Sequence, residues 1–169
     1  MDSAALRAMQ APLKDRYRND PKTAVITLKA KGTLDDAHVA CKVETGRALA
    51  VAGLHPATGG SGLELCSGDM LLEALVACAG VTLKAVATAL DIPLKSAQVS
   101  AEGDIDFRGT LGIDKTAPVG FAQIRLRFEV ESDAATDKLD QLLKLTERYC
   151  VVYQTLRCGP PVEVKLERK

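Results

Sequence analysis

Two cysteines stand where a thiol could do chemistry. Cys78 lies in the apolar run Met70–Val81, among Leu75, Val76, Ala77, Ala79 and Val81. The residues alone leave two readings of it. It is a small buried hydrophobe, or a reactive thiolate if a cation or hydrogen-bond donors lie close. A thiol in mid-helix gains nothing from its own helix's positive end. Cys150 is different, because it follows Glu147-Arg148-Tyr149 and opens the segment 151–157. If that segment is helical, Cys150 sits at its positive end, which favours a thiolate. Otherwise it is a packing residue at a helix boundary. Cys41, Cys66 and Cys158 read as incidental.

Other chemistries find little support. Five widely spaced cysteines, an odd number, do not make a secreted disulfide framework. There is no Cys-x-x-Cys, and His38 and His55 are the only histidines. A structural zinc site needs four clustered ligands, so neither metal nor cofactor is expected. Gly59-Gly60-Ser61-Gly62 lacks the Lys-Ser/Thr ending of a phosphate loop, and it is not a nucleophile elbow. Twenty-two basic residues balance twenty-two acidic ones, and aromatics are 4% with no Trp. A phosphate-backbone binder needs a basic excess and stacking platforms, so no nucleic-acid partner is expected.

A chain of 169 residues suits one domain. Residues 3–18 read as an amphipathic helix with Ala4, Leu6, Met9 and Leu13 on one side, stopped by Asn19-Asp20-Pro21. Strands are expected at 23–31, 38–44 and 47–53, with turns at 32–36 and 45–46. The segment 55–62 is rich in Gly and Pro and reads as a loop. Ser67 is the expected cap of a central helix running to about Leu90 and closing at Asp91-Ile92-Pro93. Its apolar residues occupy more than one face, which predicts burial on several sides. Alternation predicts strands at 95–107, with a bulge at Gly103, and at 121–131, separated by a loop over 108–120. A helix over 134–149 carries Leu139, Leu142, Leu143 and Leu145, and a last strand is expected at 162–166. This order of elements means α+β. The N-terminus has no apolar signal-peptide core, and the run 70–81 reads as too short and too charged to span a bilayer. A cytoplasmic protein with no membrane partner is the expectation.

The stretch Ser67-Gly68-Asp69-Met70-Leu71-Leu72-Glu73-Ala74-Leu75-Val76-Ala77-Cys78 resembles the central helix of the OsmC/Ohr family, the osmotically inducible protein C and organic hydroperoxide resistance proteins. Cys150-Val151-Val152-Tyr153-Gln154-Thr155-Leu156 resembles that family's second cysteine motif, and the order of elements over 23–167 agrees. The resemblance implies antiparallel sheets wrapped around a long buried central helix in an interwoven homodimer. Residues 1–20 would be an N-terminal helical extension and 21–169 a single OsmC-like domain. It further implies a thiol peroxidase active in oxidative stress defence, with organic hydroperoxide as substrate. Cys78 would be the peroxidatic thiolate and Cys150 the resolving thiol, with a dithiol reductant, lipoylated protein in some members, restoring the pair. The two cysteines should then meet in the fold.

The sequence departs from the family pattern at three places. The turn Gly32-Thr33-Leu34-Asp35-Asp36 has no Arg where family peroxidases place one to steady the thiolate. Arg47 is the first candidate to replace it and Lys31 the second, with Asp69 orienting that cation by a charge-assisted hydrogen bond. Asp69 stands where Glu is usual, and Val151 follows Cys150 where Pro is common. The alternative is a non-catalytic family member that keeps the cysteine pair and binds a small molecule between the central helix and loop 54–65. A third reading is a soluble α+β domain with buried thiols.

Overall fold

In a computed structural model, residues 2–20, 24–25, 27, 31–34, 40–44 and 49–168 are described, with the backbone alone at 31–34, 40–44 and 49. Helix α1, Ser3–Asn19, starts where the Asp2 carboxylate accepts the Ala5 N–H at 2.7 Å, and ends with Arg16 and Arg18 at its negative end. It continues through Pro12. Of its apolar stripe only Leu6 is buried, beside Ser3, while Met9 and Leu13 remain exposed.

Strands β1 (Lys31–Leu34), β2 (Ala40–Glu44) and β3 (Leu49–Gly53) form an antiparallel meander, with Lys31 opposite Glu44 and Ala40 opposite Gly53. The turn expected at 32–36 is corrected: Gly32, Thr33 and Leu34 are strand residues paired to β2. Most of the strand expected at 23–31 and all of the 45–46 turn lie outside the described residues. Loop 55–62 holds one 3-10 turn, Pro56–Thr58, where His55 Nδ1 accepts the Ala57 N–H at 3.0 Å. Strand β4, Leu65–Cys66, then pairs in parallel with β3.

Helix α2, Ser67–Ala89, is the longest helix among the described residues. Its cap is Cys66 rather than Ser67, and no side chain closes it. Leu75, Ala79, Leu83, Val86 and Ala87 are buried along one face. Their spacing is the helical repeat that one buried stripe requires. The opposite side of the helix is open in the single chain, with Val81 73% exposed. Burial on several sides is thus met on one face only. At 23 residues and a mean hydropathy of 1.8, α2 is long and apolar enough to cross a membrane by length and composition. That corrects the shorter run read from the sequence, and one face of α2 packs against the elements described below. The helix closes with Asp91 in the left-handed region, φ 55°, and the Ile92 N–H donating to Ala87 O at 2.9 Å.

Strands β5 (Ser96–Ile105) and β6 (Phe121–Glu131) make a two-stranded antiparallel sheet against α2. The register slips at Asp104/Ile105, one residue past the expected bulge at Gly103. Gly103 has another reason to be glycine: a Cβ there would lie 2.4 Å from the Phe121 ring. The connection between the strands contains a short helix α3, Phe107–Thr110, which the sequence did not predict. On the outer face Arg125 pairs with Asp104 and Glu102.

Helix α4, Thr136–Tyr149, packs Leu142 and Thr146 inward, with Leu139 and Leu145 half-buried beside them. Leu142 joins Leu83, Val86, Ala87 and Ile92 in the core, with Val99, Phe128 and Val130 of the sheet packed against it. Helix α5, Val151–Cys158, follows after one extended residue, Cys150. The strand expected at 162–166 is not formed. Val162, Val164 and Leu166 alternate but are 81%, 89% and 88% exposed. A strand needs a neighbour to take its backbone hydrogen bonds, and none of the described residues pairs with this segment.

Candidate active site

The corner between α4 and α5 lies against the middle of α2, and two thiols meet there. Cys150 shapes the corner with its backbone. Its N–H donates to Thr146 O at 3.0 Å and closes α4, and its carbonyl accepts the Gln154 N–H at 3.0 Å and opens α5. The Gln154 side chain braces the bend by donating to Glu147 O at 2.7 Å. The core leucines fix α4 on α2, so the start of α5 is held against the Cys78 face of that helix. Cys150 is buried, Cys78 is half-buried, and neither is in a disulfide.

The first N–H groups of a helix have no partner within it. In α5 those of Val152 and Val151 face the Cys78 sulfur. Partial burial pushes the Cys78 thiol up. The Val152 N–H, the Cys150 thiol, the Val151 N–H and the Thr82 hydroxyl together outweigh it, and Cys78 is held below the usual thiol value. Cys150 goes the other way. Burial pushes it up, and its hydrogen bond and charge interaction with Cys78 push further, against the pull of the Tyr153 and Val152 N–H groups. The Tyr153 N–H is directed at the Cys150 sulfur without closing a capping hydrogen bond. The segment after Cys150 is helical, as the thiolate argument required. Its positive end favours Cys78 instead, because burial and the adjoining Cys78 charge dominate at Cys150.

The pair Cys78 and Cys150 is therefore brought together from positions far apart in the chain. The other expected site residues are placed differently. Arg47 lies outside the described residues, and Lys31 is described by its backbone alone, in β1. Asp69 is exposed in the first turn of α2. It precedes Cys78 by nine residues, about 13 Å along the helix axis. It lines a separate cavity of about 390 Å³ with His55, Cys66, Leu72, Phe107 and Phe121. The His55 ring stacks on Phe107 there, centroids 5.0 Å apart. Among the described residues no group of three or more His, Cys, Asp or Glu side chains is placed to hold a metal ion. Sequence reasoning missed the backbone donors of α5 and the Thr82 hydroxyl. The one signal for the latter was a Thr one helical turn after Cys78.

Comparison with known proteins places this geometry in a family. Among solved structures, the fold is similar to an OsmC-like protein from Mycoplasma pneumoniae, at 16% identity and TM-score 0.64, covering 79% of this chain and 89% of that one. It is similar to an organic hydroperoxide resistance protein OsmC from Legionella pneumophila, at 15% identity and TM-score 0.62, covering 80% and 92%. An organic hydroperoxide resistance protein from Elizabethkingia anophelis, with thiocyanate bound, gives 16% identity and TM-score 0.62 over 80% and 91%. No curated protein matches significantly. The profile of the family described as OsmC-like protein matches residues 59–165, most of the chain and both cysteines. The chain belongs to the OsmC-like protein family.

Proposed function

We propose that the protein is a thiol peroxidase that reduces organic hydroperoxides. One observation carries the reading: Cys78 and Cys150 meet, with Cys78 held below the usual thiol value and Cys150 above it. A peroxidatic thiol must be ionised to attack, and a resolving thiol serves best if it stays protonated until the sulfenic acid forms. The Cys78 thiolate attacks the hydroperoxide O–O bond. The sulfur takes one oxygen as a sulfenic acid, and the alkoxide leaves and is protonated to the alcohol. The Cys150 thiol then condenses with the sulfenic acid, releasing water and closing a disulfide. A dithiol reductant, such as a lipoylated protein, restores both thiols by exchange. Two of the structural relatives are described as organic hydroperoxide resistance proteins, which supports the substrate class.

The proposed active form is a homodimer in the cytoplasm. The open side of α2 around Val81 and the bare alternating segment 162–166 are the surfaces a second copy would cover. The cavity lined by His55, Cys66 and Asp69 favours the second reading, a small-molecule-binding protein that keeps its cysteine pair. Stopped-flow mixing with cumene hydroperoxide separates the two. The peroxidase reading predicts rapid peroxide loss with the wild type and none above background with Cys78→Ser. Equal rates for the two proteins contradict it, and light scattering at micromolar concentration tests the dimer.

A further inference from the structure

Three threonines in the helices around the site share one habit. Thr82 Oγ1 donates to Cys78 O at 2.7 Å, Thr88 Oγ1 to Lys84 O at 2.8 Å, and Thr146 Oγ1 to Leu142 O at 2.8 Å. Each is the back-bond to the preceding turn that a helical Thr often makes. Thr82 differs in what else lies within reach, because its carbonyl partner belongs to Cys78, whose sulfur is also a neighbour of its hydroxyl. A hydroxyl has one proton and rotates freely about its C–O bond. The Thr82 proton therefore has two acceptors on the same residue, the carbonyl oxygen and the sulfur. Which is better depends on charge. A neutral thiol is a weak acceptor, and hydrogen bonds to an ionised group are roughly twice as strong as neutral ones.

We propose that Thr82 is a switchable donor for the Cys78 thiolate: its hydroxyl serves the Cys78 carbonyl while the thiol is protonated and turns to the sulfur when the proton leaves. The proposal rests on reading Cys78 as the attacking thiolate, and it adds a side-chain donor to the two backbone donors of α5. Rotation of one bond completes the switch, with no movement of the helix. Thr suits the position. Its β-branch restricts the side chain in a helix to few rotamers, so the oxygen stays beside Cys78. From α4 and α5 the titratable group facing Cys78 is Cys150. On α2, Glu73 and Lys84 are exposed and lie more than a helical turn away along the chain.

The test reads ionisation, not peroxide turnover. The reduced full-length protein is alkylated with iodoacetamide across a pH series, and modification of Cys78 is followed by peptide mass spectrometry. Thr82→Val keeps the branched shape and removes the hydroxyl. It should raise the Cys78 midpoint by a few tenths of a pH unit, which slows alkylation about twofold below that midpoint. Thr82→Ser should retain the wild-type midpoint, and Thr88→Val, which removes the same back-bond from a threonine outside the site, should not move it. Thr82→Ala provides a second hydroxyl-free variant if Thr82→Val does not fold. An unchanged midpoint in the hydroxyl-free variants overturns the proposal, and so does a shift in Thr82→Ser as large as in Thr82→Val. A wild-type Cys78 that titrates low but consumes no hydroperoxide would instead overturn the peroxidase reading and leave this one standing.

Discussion

The middle of α2 and the α4–α5 corner each contribute one thiol to the same contact, yet they treat it in opposite ways. The half-buried sulfur of Cys78 is met by the free N–H groups that begin α5, and its charged form is favoured. The corner buries Cys150 and sets it beside that favoured charge, so its own charge is opposed. The N–H groups that begin α5 act on both sulfurs; they prevail at Cys78, while burial and the neighbouring charge prevail at Cys150. Two cysteines in contact become unlike in this way, and unlike thiols are what an attack followed by a resolution requires.

Changes at the corner break the comparison in graded ways. The largest effect is expected from Cys150→Ser. It should lower steady-state hydroperoxide reduction by roughly a hundredfold or more with a dithiol reductant, while one rapid turnover per chain survives in a stopped-flow trace. Loss of that first turnover would move the attack to Cys150. Next is Leu142→Ala. Leu142 is 2% exposed and holds α4 on α2. Its truncation should cost about 2–5 kcal/mol in urea unfolding and loosen the seat of Cys150, so that disulfide closure slows in the folded fraction.

Val151→Pro sharpens the comparison at a single donor. Proline is accepted in the first position of a helix, and Cys150 already has the extended backbone, φ −74° and ψ 107°, that a residue before proline prefers. The substitution removes one N–H from Cys78 and little else. It should raise the Cys78 alkylation midpoint by a few tenths to about one pH unit. An unchanged midpoint would leave Val152 as the helix's working donor.

The smallest effect is on stability. Where Cys78 has ionised in the native state and not in the unfolded one, the unfolded chain binds more protons, and stability rises with pH. That window runs from the folded midpoint of Cys78 up to the usual thiol value near 8.5. Cys150, raised on folding, has the opposite sign above that value, where stability falls as pH rises. In the reduced protein Cys78→Ser should remove the rise below the usual thiol value, read as the slope of unfolding midpoints against pH.

Much of the fold was legible because periodicity reports burial. The apolar run of α2, the alternation of β6 and the leucines of α4 each match an element found over almost the predicted residues, though α2 is buried on one face and not on several. Val162, Val164 and Leu166 show the limit of that signal. Alternation records what a segment suits, while a strand also needs a neighbour for its backbone. Gly32 misled in the other direction, since a glycine that suggests a turn also pairs within β1. In the site, the two cysteines were legible as residue types. Their unlike environments were not, because the N–H groups of Val151 and Val152 belong to any residue there except proline and leave no mark in the sequence.

The central claim is that Cys78 attacks and Cys150 resolves. Peptide mapping by mass spectrometry after one equivalent of cumene hydroperoxide tests it most directly. The wild type should lose two hydrogens as a disulfide linking the Cys78 and Cys150 peptides. Cys150→Ser should instead gain one oxygen, trapped by dimedone on Cys78. Oxidation confined to Cys66 or Cys158, or dimedone found on a residue other than Cys78, would contradict the account.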